Sequence, residues 1–139
     1  MRLDRDVLAQ PAIRWLVVLE GINDLGSGKI SADEVIAAYE NIILRAHNRG
    51  LLVYGGTIMP CGGWIHCNAE LEAKRQKINS WIKTSGAFDA NIDFDAAVRD
   101  PQDPTKLLDA ANSGDHLHPN DEGHRLIAEA VDMKLFENQ

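Results

Sequence analysis

Asp115 and His118 stand three residues apart in the segment Ser113-Gly114-Asp115-His116-Leu117-His118-Pro119-Asn120, a loop by its Gly and Pro content. At that spacing a carboxylate can accept the Nδ1–H of an imidazole, fix its orientation and stabilise the charge it gains, leaving the other ring nitrogen to act as a base. Alone, the pair reads more readily as a helix-capping Asp beside a surface His, because so short a motif recurs by chance. A second candidate is Gly21-Ile22-Asn23-Asp24, which follows the apolar run Ile13-Arg14-Trp15-Leu16-Val17-Val18-Leu19. There the Asn23 carboxamide could donate a hydrogen bond to a developing oxyanion. The competing reading is an ordinary turn, in which Gly, Asn and Asp are common.

The elements that must position these residues follow from periodicity. Ile13–Leu19 is nearly continuous in apolar, β-branched and aromatic residues, as expected of a parallel strand covered on both faces. Leu51–Ile58 is a second such run and Ala90–Phe94 a weaker third. Ser31-Ala32-Asp33-Glu34 has the form of a capping box. The helix it opens sets Val35, Tyr39, Ile42 and Ala46 on one face, flanked by Ile36 and Ile43, and stops at Gly50. A second helix is expected from about Asn68 to Ser85, before Gly86, with Leu71, Ile78, Trp81 and Ile82 apolar. A last one begins near Asn120 and carries Leu126, Ile127, Ala130, Val131 and Leu135, and a short one is expected around Asp4–Ala9. Alternating strands and helices with right-handed crossovers give an α/β three-layer sandwich on a parallel sheet. In such sheets chemistry gathers beyond the carboxyl ends of the strands, where the segments Glu20–Asp24, Thr57–Cys61 and Phe94–Ala96 end, and the polar cluster Ser113–Asn120 sits just before the last helix.

The 139 residues are 45% hydrophobic and 25% charged, so one domain spanning 1–139 is expected. With 14 Lys plus Arg against 21 Asp plus Glu, the net charge of −7 argues against nucleic acid or an anionic membrane as partner and favours a neutral or cationic small substrate. No apolar run approaches the ~18 residues of a membrane span. The charged start Met1-Arg2-Leu3-Asp4-Arg5-Asp6 is unlike a signal peptide, so a cytoplasmic location is expected. Cys61 and Cys67 lie in a Gly-rich loop without a paired CxxC; two reduced thiols are favoured over a metal site with His66, and neither metal nor cofactor is expected.

Taken together, in this order and with α/β units between them, the two motifs resemble those of the SGNH hydrolases, also called the GDSL esterase/lipase family. Gly21-Ile22-Asn23-Asp24 matches its G-x-N-D block and Asp115-His116-Leu117-His118-Pro119 its D-x-x-H-P block. The resemblance extends over nearly the whole chain, and implies a flavodoxin-like fold in which His118 is the general base, Asp115 its orienting carboxylate and Asn23 an oxyanion-hole donor. Gly21 and Cys61, at strand ends on that side, are expected at the substrate. It departs from the family at the first block: no Gly-Asp-Ser segment occurs, and the Gly of the second block has no counterpart, so the chain reads as a truncated C-terminal part of the family fold. Ser27, Ser31, Ser113 or Cys61 could attack, yet none sits in a nucleophile turn. The expected function is carboxylic ester hydrolysis on a small, short-chain ester, with the nucleophile unidentified. The alternative is an inactive family member acting as an oligomeric binding or assembly protein. In the family's strand order the Ile13–Leu19 strand would pair with one lacking here, so a homodimer through that edge is expected.

Overall fold

The computed structural model describes residues 2–137. Three parallel strands form one sheet in the order β1 (Trp15–Val18), β2 (Leu52–Gly56), β3 (Ala90–Ile92). The register pairs Trp15 with Leu52 and Val18 with Gly55, then Tyr54 with Ala90 and Gly56 with Ile92. The helix α2 (Ala32–His47) connects β1 to β2, and α3 (Ala69–Thr84) connects β2 to β3. Both crossovers start on side-chain caps. Ser31 and Glu34 close the expected capping box, and the Asn68 side chain accepts from the Leu71 amide. The first two strand runs shorten by a residue or more at each end once hydrogen bonds define them.

Helices α2 and α3 pack together on one face of the sheet, where Val18 and Val53 meet Val35, Tyr39, Ile43, Ile78 and Ile82. On the other face lie α4 (Phe94–Val98), α5 (Asp121–Glu129) and a closing turn at Met133–Phe136. Phe136 stands edge-on to both Trp15 and Tyr54 there, at ring-centroid distances of 5.9 and 5.4 Å. Two adjacent glycines let the layers meet. A Cβ on Gly55 would lie 2.6 Å from Phe88, and one on Gly56 would lie 2.6 Å from Phe94, so aromatic rings press on bare backbone from opposite sides. This is the α/β fold with a parallel sheet that the periodicity predicts.

Three expectations change. The Ala90–Phe94 strand stops at Ile92, because the Asp93 side chain caps α4 by accepting from the Ala96 amide. The last helix ends at Glu129, and Leu135 belongs to the separate turn at 133–136. Strand β1 is covered unevenly: Val18 is buried, whereas on the other face Phe136 covers Trp15 but leaves Val17 39% exposed.

Candidate active site

Beyond the carboxyl ends of β1 and β2 lies a cleft of about 200 Å³. Leu19, Glu20, Ile22 and Asn23 line it from the first strand, Ile58 and Met59 from the second, and Leu117, His118 and Pro119 from the loop before α5. The two motifs, 95 positions apart in sequence, thus face one space.

The base side of the cleft is built by local hydrogen bonds. Asp115 Oδ2 lies 2.5 Å from His118 Nδ1. Its other oxygen accepts from the amides of Leu117 (2.9 Å) and His118 (2.8 Å) and from the Ser113 hydroxyl (3.0 Å). The bond to His118, then the two amides, hold the Asp115 carboxyl well below the usual carboxylate range. With Nδ1 engaged, Nε2 is the ring nitrogen free to exchange a proton. Asn120 pins the loop ends: its Nδ2 donates to the carbonyls of Ala110 (2.9 Å) and Asn112 (3.1 Å) while its Oδ1 accepts from the Gly123 amide (3.0 Å) at the start of α5. The tight path takes Gly114 to φ +103° and His116 to φ +63°.

The oxyanion side depends on packing. Gly21 turns the chain at φ +110° between β1 and α1 (Ile22–Gly26), and a Cβ there would crowd Tyr39, Val35 and Ile58 at 3.2–3.3 Å. The Tyr39 hydroxyl donates to the Glu20 carbonyl (2.6 Å). Burial, reinforced by the nearby carboxylates of Glu20 and Asp24, pushes that phenol's pKa up, so it stays a donor. Asn23 sits exposed at the start of α1, and its carboxamide has no hydrogen-bond partner among the described residues. It is free to donate into the cleft.

Two expected substrate contacts lie elsewhere. Gly21 is buried behind the lining and faces a neighbouring groove with Tyr39 and Ile42. Cys61 is fully buried and is joined to Cys67 in a disulfide, which corrects the expectation of reduced thiols and removes Cys61 as a nucleophile. The two sulfurs and a Glu72 oxygen lie within 4.8 Å of one another, but the sulfurs are bonded to each other, not open to a metal. No Ser or Cys lines the cleft among the described residues. Ser27 donates to the Asp24 carbonyl, Ser31 caps α2 and Ser113 donates to Asp115.

Ile58 falls at a strand end as expected, but what holds it there comes from α3. The Asn79 side chain accepts from the Ile58 amide (2.7 Å) and donates to its carbonyl (2.8 Å), and Arg75 Nη1 adds a second bond to that carbonyl (2.7 Å). Arg75 is fully buried; burial opposes its charge, and the hydrogen bonds it donates to the carboxylates of Glu72 and Asp95 outweigh that cost. The signal was present in sequence, since Arg75 interrupts the α3 stripe Leu71, Ile78, Ile82 at helical spacing.

The model of the GDSL-like lipase/acylhydrolase family matches residues 1–126. The chain belongs to this family. Solved structures agree in fold. A Bacteroides fragilis protein described as an acylhydrolase superposes with a TM-score of 0.80 at 18% identity, over 97% of this chain and 66% of its own. A GDSL-like lipase from Bacteroides thetaiotaomicron gives 0.74 at 18% identity, over 94% and 69%. An acetylxylan esterase from Geobacillus stearothermophilus gives 0.70 at 20% identity, over 99% and 65%. The chain thus spans about two thirds of the length of these family structures. No curated protein matches it. No helix among the described residues is long and apolar enough to cross a membrane.

Proposed function

We propose that this chain carries the base and oxyanion half of a site that hydrolyses small esters. The observation behind this reading is the shared cleft, in which Asn23 and an Asp115-oriented His118 line one space. In that role His118 Nε2 takes the proton of the attacking hydroxyl and later returns it to the departing alkoxide, while the Asn23 carboxamide donates to the tetrahedral oxyanion. The apolar lining of Leu19, Ile22, Ile58 and Met59 and the small volume suit a short acyl group, and the Glu20 carboxylate at the rim disfavours an anionic one. The nucleophile is the open member of the set, since Ser27, Ser31 and Ser113 are engaged elsewhere and no Ser or Cys among the described residues lines the cleft. The Cys61–Cys67 disulfide favours an oxidising compartment over the cytoplasm.

The test is p-nitrophenyl acetate turnover by the pure chain and by His118→Ala. General-base removal is expected to lower the rate by ~10²–10⁴-fold; an unchanged rate refutes the assignment. A serine-directed phosphonate, located by mass spectrometry, identifies the nucleophile or shows that the chain has none.

A second reading, an oligomeric binding or assembly protein of the family fold, draws support from β1. Its outer edge pairs with no strand among the described residues, and Val17 stands exposed beside it. Such an edge can pair with a second copy, giving a homodimer through the Ile13–Leu19 segment. Light scattering at micromolar concentration should show a dimer that Val17→Lys weakens; a well-folded monomer refutes the dimer.

A further inference from the structure

After Ile58 and Met59 the chain leaves the cleft wall and closes on itself through the Cys61–Cys67 disulfide. Inside this ring the Trp64 amide donates to the Cys61 carbonyl (2.9 Å) and the Cys67 amide to the Trp64 carbonyl (2.8 Å), while the Gly62 amide anchors the ring to the Thr105 carbonyl (2.7 Å). Two of its residues reach the two halves of the site. A Cβ on Gly26 would lie 2.5 Å from Trp64 Cη2 and 3.0 Å from Cζ3, so the indole edge rests on the backbone of the last residue of α1, three positions after Asn23. A Cβ on Gly63 would lie 2.8 Å from Cγ of His116, so the ring backbone abuts a side chain two positions before His118. His66 stands edge-on to Trp64 at 4.9 Å and backs the indole.

This matters because α1 has only five residues. Isolated helices shorter than ~12–15 residues are marginal in water, so the direction of Asn23 must come from what packs on α1. The base loop holds its own shape but not its distance from α1. Trp64 is absent from the cleft lining, so it can act only through these neighbours.

We propose that Trp64, seated on the Cys61–Cys67 ring, is a positioning residue that keeps Asn23 and His118 aligned across the cleft. The assignment rests on the reading of those two residues as oxyanion donor and base. It is tested in the 139-residue chain with Trp64→Ala, Trp64→Phe and the double variant Cys61→Ala/Cys67→Ala. The readouts are the NMR signals of the Asn23 carboxamide and the His118 ring, amide exchange over residues 21–26 and 113–120, and the melting temperature. Trp64→Ala should move both sets of signals and speed exchange in both segments by about tenfold relative to the rest of the chain. Trp64→Phe should restore most of this, and the double cysteine variant should shift the same signals. Where turnover is measurable, Trp64→Ala should lower kcat by about tenfold with KM nearly unchanged, below the ~10²-fold that a 1 Å misplacement can cost. A uniform rise in exchange with a lower melting temperature, or signals that move on one side of the cleft only, overturns the proposal. If Trp64→Ala does not fold, Gly63→Ala decides: pressure on His116 should move the His118 signals together with those of Asn23, and an unmoved Asn23 carboxamide refutes the coupling. The NMR readouts need no turnover, so an inactive wild type would sink the ester-hydrolase reading without deciding this one.

Discussion

The two sides of the cleft are held in different ways. The loop carrying Asp115 and His118 is polar and exposed, and fixes itself through bonds between near neighbours: Asp115 to residues 117 and 118, Asn112 to residues 114 and 116, and Asn120 across the base of the loop. The turn carrying Asn23 has no such network. Gly21 is wedged against Tyr39, Val35 and Ile58, and Leu25, 2% exposed, anchors α1 into the core. One side is specified by local chemistry, the other by distant packing, and perturbations should propagate accordingly.

The sharpest contrast is between removing a group and removing its support. Asn23→Ala should cost on the order of 10²-fold in kcat if the carboxamide stabilises the oxyanion, with a melting temperature close to wild type because Asn23 is exposed. A loss confined to KM would make it a ground-state binding residue instead. Gly21→Ala attacks the support. A methyl group there must adopt φ +110° and press on three core side chains, and a strained backbone of this kind costs ~1–3 kcal/mol. For a chain of this size that lowers the melting temperature by several degrees, and it should reduce turnover while leaving the Asp115–His118 signals in place. An altered base loop in Gly21→Ala would break the distinction between the two sides.

What the sequence revealed follows the same division. Asp115, His118 and the capping box at Ser31/Glu34 were legible because their partners lie within three residues, and the alternation of apolar runs with amphipathic helices was enough for the α/β sheet. The Ala90–Phe94 segment has the composition of a longer strand, because Asp93 acts as a cap only once Ala96 has turned back on it. Nothing in the spacing of Cys61 and Cys67 says that the loop between them folds back far enough to join them in a disulfide. The role of Ile58 was hidden, since the clamps that hold it, Arg75 and Asn79, are on α3. Residues whose function depends on long-range contact leave only an irregularity in sequence, as Arg75 does in its apolar stripe.

The smallest expected effect is confined to the base loop and concerns its response to acid. Asp115 has its folded pKa lowered, first by the bond to His118 and then by the amides of His118 and Leu117. A carboxyl with a lowered folded pKa contributes order that is fully present above its unfolded value of ~3.9 and is lost as pH falls through the folded value. The loop should therefore stay intact down to about pH 4, the region in which free carboxyls titrate, and open only in stronger acid. In an NMR titration the Leu117 and His118 amides should hold their positions through the ordinary carboxylate range near pH 4 and move together below it. The Leu25 amide bonds to the Gly21 carbonyl and has no carboxylate partner, so it should not join that transition. Asp115→Asn removes the charge at every pH, so its Leu117 and His118 amides should lose the acid transition and start from shifted positions at neutrality. Amides of wild-type Leu117 and His118 that titrate near the ordinary carboxylate value would show that the Asp115 bonds do not hold the loop in solution. The base side would then need support from outside, as Asn23 does.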